Sequence, residues 1–255
     1  MRKKSIAINI TSKCNAKCKI CCYGCSPDNN DVIDERLMLH SINRISDLGG
    51  IDSLCFSGGE PFLFFDLLKK GLKYAKDKGF KTSVATNGYW GMWPKDEIKS
   101  KLEELSVDLI RISTDEYHLE CIPEKDIRQA IETVKTLKTE LKIGIGETAA
   151  GKACGDFFRL LGSYKYLLSF YTYAFEKTGR ADELPAESFY TSDKAGFYPD
   201  LLSIRYDGEV FIGKNQLRNE NRFSSGNIKI SSLSEILSKE RYQYEFLESG
   251  IRNDR

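Results

Sequence analysis

The chain has 255 residues, of which 41% are hydrophobic and 29% charged, and its 38 basic and 37 acidic residues leave a formal net charge of +1. This composition is ordinary for a globular protein with one large α/β domain, or a domain with a small addition. Balanced charge excludes a broad electrostatic field that would recruit nucleic acid or a membrane surface. No apolar run approaches the ~20 residues of a membrane span. We therefore expect a cytoplasmic protein whose partners include neither nucleic acid nor membrane.

The N-terminus is basic and then apolar. The apolar segment Ile6–Ile10 is too short for the core of a signal peptide, and we predict it as the first strand. Five further strands are predicted at Ile51–Ser57, Phe80–Thr86, Val107–Ser113, Leu141–Ile145 and Leu167–Phe175. From the second strand on, their starts lie about 25–35 residues apart, which is the size of one βα unit.

Amphipathic helical patterns separate several of these strands. Their apolar stripes are Leu37, Ile42, Ile45 and Leu48; then Phe65, Leu68, Leu72 and Ala75; then Ile127, Ile131, Val134 and Leu137. Strict alternation of strands and helices favours a parallel sheet with helices outside it. We predict an α/β fold, a partial (β/α)6 TIM-like barrel over residues 1–180, with an open doubly wound sheet as the alternative.

The pattern changes after about Gly179. Leu201–Gly213 predicts a hairpin that turns at Asp207-Gly208, and Ser232 with Glu235 forms a capping box before a last helix. Residues 181–255 are therefore expected to form a small C-terminal appendage of a hairpin plus a helix.

Five of the eight cysteines fall within twelve residues, which indicates a metal site rather than a disulfide framework. Cys14, Cys18 and Cys21 have the spacing CxxxCxxC. Three thiolates can hold three irons of a [4Fe–4S] cluster and leave the fourth iron open to a ligand. The alternative is a zinc knuckle that pairs Cys18 and Cys21 with Cys22 and Cys25.

Polar and glycine residues follow the predicted strands, at the edge where parallel α/β folds gather their chemistry. They are Gly58, Gly59, Glu60 and Pro61 after the second strand, Thr86, Asn87 and Gly88 after the third, Ser113, Asp115 and His118 after the fourth, and Gly146 and Glu147 after the fifth. Two adjacent glycines let the backbone lie against a ligand, and Glu60 offers a carboxylate to an ammonium group. The alternative for that segment is a plain strand-to-helix turn.

The cysteine triplet after the first strand and Gly58-Gly59-Glu60-Pro61 after the second resemble the radical SAM superfamily. Thr86-Asn87-Gly88 and Ser113-x-Asp115 match weaker features of that family. The resemblance covers about residues 5–180. It implies that Cys14, Cys18 and Cys21 hold a [4Fe–4S] cluster, and that the amino and carboxylate groups of S-adenosylmethionine (SAM) chelate the open iron.

The resemblance also assigns residues to SAM. They are Gly58, Gly59, Glu60 and Pro61 near the methionine ammonium, Ser113 and Asp115 near the ribose or carboxylate, Asn87, and Ile20 packed on adenine. Arg180 is expected to meet a carboxylate of SAM or substrate. His118 is the predicted catalytic proton donor or acceptor, the alternative being a loop histidine that bonds to Asp115.

The activity that the resemblance implies is reductive cleavage of SAM to a 5′-deoxyadenosyl radical, which abstracts hydrogen from a peptide or small-molecule substrate. An external one-electron donor of flavodoxin or ferredoxin type is expected. The alternatives are a non-catalytic iron–sulfur or zinc-binding protein, and an enzyme that cleaves a different C–S bond of SAM.

Two segments resemble peptide-modifying members of the superfamily. They are IxITSKCNAKCKICCYGCSP at residues 8–27 and Gly179-Arg180-Ala181. Many of those members carry further clusters on a SPASM or twitch extension with a strand of the form DGxVxxC. Here Gly213 stands at the cysteine position, and no cysteine follows Cys154. Because an additional cluster needs three or four thiolates, we predict a single cluster and a cluster-free appendage.

Overall fold

The computed structural model describes residues 4–147, 169–174, 178–185, 202–212 and 221–239. Its strands are β1 (Ser5–Thr11), β2 (Ser53–Gly58), β3 (Lys81–Thr86), β4 (Leu109–Ser113), β5 (Glu140–Glu147), β6 (Ser169–Ala174), β7 (Leu202–Ile204), β8 (Glu209–Ile212) and β9 (Gly226–Asn227). Within these residues, the nine strands form one sheet in the order β6-β5-β4-β3-β2-β1-β7-β8-β9.

The first six strands are parallel, and each pairs with the next along the chain. A doubly wound sheet reverses its strand order at a switch point, whereas a barrel adds strands in sequence. The observed order therefore confirms the predicted partial barrel. The sheet does not close, because β6 and β9 lie at its two ends.

Helices follow most of the parallel strands. They are α1 (Glu35–Leu48), α2 (Phe65–Asp77), α3 (Lys95–Leu105), α4 (Glu116–Leu119), α5 (Glu124–Val134) and α6 (Leu233–Leu237). The three predicted apolar stripes lie on α1, α2 and α5, except that Leu137 follows the end of α5. Sequence reasoning missed α3, where only Ile98, Leu102 and Leu105 are buried among charged residues. No helix among the described residues is both long and apolar enough to cross a bilayer.

The strand β1 is the centre of the core. All seven of its residues are buried, and Ile6, Ile8 and Ile10 have no exposed surface. A strand buried on both faces reads as an apolar run rather than an alternating one, as the sequence Ile6–Ile10 does. The register Thr11↔Gly58 places the ends of β1 and β2 side by side, so the segments that follow these strands leave the sheet at the same edge.

The C-terminal hairpin extends the same sheet. The strand β7 pairs in parallel with β1, through Ala7↔Ser203 and Ile8↔Ile204, and β8 returns antiparallel to β7. The turn lies between β7 and β8 as predicted, and the capping box at the start of α6 is present. Gly213 lies outside the described residues.

Buried Glu60 ties the end of β2 to the end of β3. Its Oε1 accepts hydrogen bonds from Thr86 Oγ1 (2.8 Å) and Phe62 N (3.1 Å), and its Oε2 accepts one from Asn87 N (2.8 Å). The carboxyl has no solvent exposure. Burial raises the pKa of Glu60 from 4.5 to about 7, although the three hydrogen bonds act in the opposite direction.

The raised pKa of Glu60 predicts a pH-dependent stability. A carboxyl whose pKa is raised by folding stabilises the protein below pH 4.5, and this contribution is lost as the pH rises to about 7. The size of the loss is about 3 kcal/mol, from ~1.4 kcal/mol per pKa unit. We expect Glu60→Gln to lack this slope when the free energy of unfolding in urea is measured from pH 4.5 to 7.5.

The informative quantity is the difference between variant and wild type, because other groups titrate in the same range. The exposed Glu103→Gln is the matched control and should keep the wild-type slope. Equal slopes in wild type and Glu60→Gln would contradict the raised pKa of Glu60 in the folded protein.

Candidate functional site

A cavity of about 180 Å³ opens where the ends of the parallel strands meet the cysteine loop. The predicted site residues that line it are Cys14, Cys18, Ile20, Cys21, Gly58, Gly59, Asn87, Ser113, His118 and Arg180. Further lining residues that sequence reasoning did not assign to the site are Ala16, Cys22, Tyr23, Cys25, Ser57, Ala85 and Thr86. The structure therefore brings ten of the thirteen predicted residues to one place.

The other three predicted residues lie beneath the cavity wall. Glu60 and Pro61 are buried at the turn after β2, and the Glu60 carboxylate is directed to the end of β3. Asp115 has no exposed surface and caps α4. Their predicted contacts with SAM stay predictions, and the structure assigns each carboxylate a set of protein partners.

The two glycines are required by close backbone packing. The Gly59 amide donates to Thr11 O (2.7 Å), and the Glu60 amide donates to Lys13 O (2.9 Å). A Cβ at Gly59 would lie 2.0 Å from Lys13 O, and one at Gly58 would lie 2.4 Å from Thr11 O. Gly58 also has φ +123°, which a side chain disfavours. Only glycine allows the turn after β2 to lie directly on the cysteine loop.

Hydrogen bonds reach the thiol of Cys14 from two directions. Ala16 N donates to its Sγ at 3.4 Å, and Asn87 Nδ2 lies 3.6 Å from the same sulfur. The Asn87 amide also donates to Asn15 Oδ1 (2.9 Å), which fixes it over the loop. Burial raises the pKa of Cys14 to about 12, assisted by the charge of Glu60, so this thiol keeps its proton until a metal displaces it.

Cys18 and Cys21 differ in their environment. Burial raises the pKa of Cys18 well above its usual range, with a further contribution from Cys121. A hydrogen bond from the Cys25 thiol lowers the pKa of Cys21 to about 6, and the positive charge of Arg180 acts in the same direction against burial. Cys21 is therefore the most acidic thiol of the triplet, and Cys25, which lies outside the triplet, is a donor to it.

The donor set fits an iron–sulfur cluster. Three thiols of one loop reach the same cavity, and thiolates are the ligands that such clusters use, one for each iron that they hold. A zinc ion needs four donors around a single point. Among the described residues, no group of three or more His, Cys, Asp or Glu side chains is set to hold one metal ion.

His118 also lines the cavity, and it lies in the short helix α4. Its Nδ1 is 2.9 Å from Asp115 Oδ1, and its side chain is 13% exposed. Asp115 is fixed in turn by the amides of Tyr117 (3.0 Å), His118 (3.1 Å) and Gly146 (3.2 Å). Burial lowers the pKa of His118, but the contact with Asp115 raises it by more, and the net pKa lies above 6.5.

Arg180 contacts the cysteine loop itself. Its guanidinium donates to the carbonyl oxygens of Cys18 (Nε, 3.0 Å) and Cys25 (2.6 Å), and its backbone N–H donates to Cys21 O (3.1 Å). The predicted carboxylate partner of Arg180 stays a prediction. The sequence carries no local signal for this contact, because it joins positions 155 and 162 residues apart.

Comparison with known proteins gives a consistent family. The profile of the Radical SAM superfamily matches residues 8–147, which is more than half of the chain. A "Putative peptide biosynthesis protein YydG" of Bacillus subtilis (strain 168) is 29% identical over 134 residues, 52% of this chain and 42% of that protein. An "S-adenosylmethionine-dependent nucleotide dehydratase" of Selenomonas ruminantium is 32% identical over 111 residues, 42% of this chain and 39% of that protein. The alignments thus span less than half of either relative.

Among solved structures, "Native anSMEcpe with bound AdoMet and Cp18Cys peptide" superposes with a TM-score of 0.64 and 16% identity, over 95% of this chain and 82% of that chain. At this identity the likeness shows the shared fold. The family profile spans both the cysteine triplet and the glycine turn that form the cavity. The chain therefore belongs to the radical SAM superfamily, a family of enzymes that use a [4Fe–4S] cluster and S-adenosylmethionine.

Proposed function

We propose that this chain is a radical SAM enzyme that modifies a peptide. The observation that carries the proposal is the convergence of Cys14, Cys18 and Cys21 with the glycine turn on one cavity, in a chain that matches the superfamily. When bound, the cluster supplies the electron that cleaves SAM to methionine and a 5′-deoxyadenosyl radical, which takes hydrogen from the substrate. An external flavodoxin or ferredoxin supplies that electron.

The chain's own residues hold and orient the reactants. The three cysteines would bind the cluster as thiolates, and Asn87 donates a hydrogen bond to the sulfur of Cys14. The backbone of Gly58 and Gly59 lines the cavity without side chains and would face SAM, and Ser113 lines the same cavity. Buried Ile20 and half-buried Ala85 make part of the wall apolar, which limits water beside a reactive radical.

His118 is the proposed proton donor or acceptor for the substrate. Asp115 Oδ1 lies 2.9 Å from Nδ1, which would leave Nε2 as the nitrogen for the substrate. The contact with Asp115 raises the pKa of His118 against the effect of burial, so it favours the protonated ring, the form that donates a proton.

Two observations bear on the substrate class. The relative in B. subtilis is named for peptide biosynthesis, and the superposed anSMEcpe structure contains a peptide, which supports a peptide substrate. The relative in S. ruminantium is named for a nucleotide, which supports the second candidate, a small-molecule substrate. Residues 181–255 are proposed to be a cluster-free appendage, since the described part of the hairpin, Leu202–Ile212, contains no cysteine.

The cluster assignment predicts the effect of removing its ligands. After anaerobic reconstitution, the wild type should contain about four irons with matching sulfide, and it should form 5′-deoxyadenosine from SAM with dithionite. The triple variant Cys14→Ala, Cys18→Ala, Cys21→Ala should lose the brown colour and the product. The control Cys55→Ala removes a cysteine of β2 that does not line the cavity and should keep both. A triple variant that keeps iron, sulfide and activity would refute the assignment.

The substrate class predicts where the hydrogen in 5′-deoxyadenosine originates. A deuterated substrate should transfer deuterium to the 5′ carbon, which mass spectrometry detects. Peptides encoded beside the gene are the first substrates to test, and nucleotides are the comparison. We expect transfer from a peptide; transfer from nucleotides alone would replace the peptide with the second candidate.

If His118 transfers a proton to or from the substrate, a variant without it should still cleave SAM but should not modify the substrate. His118→Gln should cleave SAM at the wild-type rate without substrate, because no cluster ligand changes. Formation of modified substrate should fall at least about 100-fold, the lower range for a lost general acid or base. The matched control is His40→Gln, a change of the second histidine on α1, where Nε2 lies 3.3 Å from Ile228 O. Equal product formation by His118→Gln and wild type would exclude His118 from catalysis.

A further inference from the structure

The neighbouring residues Gly179 and Arg180 both contact backbone carbonyl groups of the cysteine loop. Gly179 has φ +57°, and a Cβ there would lie 2.4 Å from Cys22 O and 2.5 Å from Cys21 O. The guanidinium next to it spans the loop from Cys18 O to Cys25 O. Four carbonyl groups between positions 18 and 25 are therefore packed or hydrogen-bonded by two residues that lie far away in the sequence.

These contacts stabilise the conformation of a loop that makes few backbone hydrogen bonds to itself. Within residues 14–25, the backbone hydrogen bonds of the loop to itself are Cys21 N to Cys18 O and Gly24 N to Cys21 O. Buried carbonyl groups need hydrogen-bond donors. The planar guanidinium of Arg180 provides two charge-assisted N–H donors, which together form a fork across the loop. The fork fixes the segment that contains two of the three ligand cysteines together with Cys25.

The charge of Arg180 is also part of the site. Its half-buried side chain lines the same cavity as the three ligand thiols, so its positive charge lies close to where the cluster would bind. Reduction adds a negative charge to an iron–sulfur cluster, and nearby charge and hydrogen bonding set the potential at which this occurs. A guanidinium at this position favours the reduced form.

We propose that Arg180 is a positioning residue for the cluster, which fixes the ligand loop through its fork and raises the reduction potential through its charge. This rests on the proposed function, and it differs from the sequence prediction that Arg180 meets a carboxylate of SAM. The two roles make different predictions in the absence of SAM, because only the first acts on the cluster before SAM binds.

Two substitutions separate the fork from the charge. Arg180→Met removes both, whereas Arg180→Lys keeps the charge and loses the planar fork. The exposed Arg36→Met is the control for removal of an arginine. All proteins are reconstituted without oxygen or SAM, and the measurements are iron release to a chelator and the reduction potential by titration of the absorbance and EPR signals.

We expect Arg180→Met to release iron about tenfold faster than wild type, a factor that the loss of one charge-assisted hydrogen bond suffices to produce. Its potential should be more negative than that of wild type. Arg180→Lys should also release iron faster, with a potential close to wild type. Arg36→Met should match wild type in both.

The proposal is overturned if Arg180→Met retains iron like wild type, or if its potential is no more negative than that of Arg180→Lys. It is also overturned if the variants differ from wild type only in affinity for SAM, which would restore the carboxylate contact. Circular dichroism of the cluster-free chains identifies a variant that does not fold, in which case Arg180→Lys carries the test of the fork. Failure of the wild type to bind iron and sulfide would instead refute the proposed function.

Discussion

The site depends on one close backbone contact, between the exit of β1 and the exit of β2. The amides of Gly59 and Glu60 donate to the carbonyls of Thr11 and Lys13, and no atom larger than hydrogen fits on Gly59 at that distance. The contact fixes where the cysteine loop begins relative to the turn that follows β2. Because the two strands are parallel neighbours in register, it also sets both segments against the same cavity. The ligand cysteines and the glycine backbone are thus parts of one rigid corner of the sheet.

Much of this corner follows from the sequence. Parallel strands separated by helices place their carboxyl ends together, and the cysteine spacing indicates a cluster with an open iron. The order of strands and helices along the chain is therefore enough to assign the loops after β1, β2, β3 and β4 to one face. Glu60 was also correctly assigned to this edge. Its three protein hydrogen bonds could not be foreseen, because they depend on how the ends of β2 and β3 turn.

Other features needed three dimensions for a physical reason. The helix α3 has one buried residue in every three or four among strong charges, so its apolar pattern is weak. The contact of Arg180 with the cysteine loop joins distant parts of the chain, and no spacing rule predicts it. The cysteine spacing places Cys25 outside the triplet, and only its contact with Cys21 reveals a donor that lowers the pKa of that thiol. The predicted boundary between residues 180 and 181 stays a prediction.

The pairing of β7 with β1 indicates a structural role for the C-terminal hairpin that does not depend on a bound metal. Without it, the strand that leads into the cysteine loop would lie at an open border of the sheet, with a row of unpaired amides and carbonyls beside wholly buried isoleucines. Such a border invites association with other chains. A hairpin that has no cysteine in its described part can therefore protect this wholly buried strand from aggregation whether or not iron is bound.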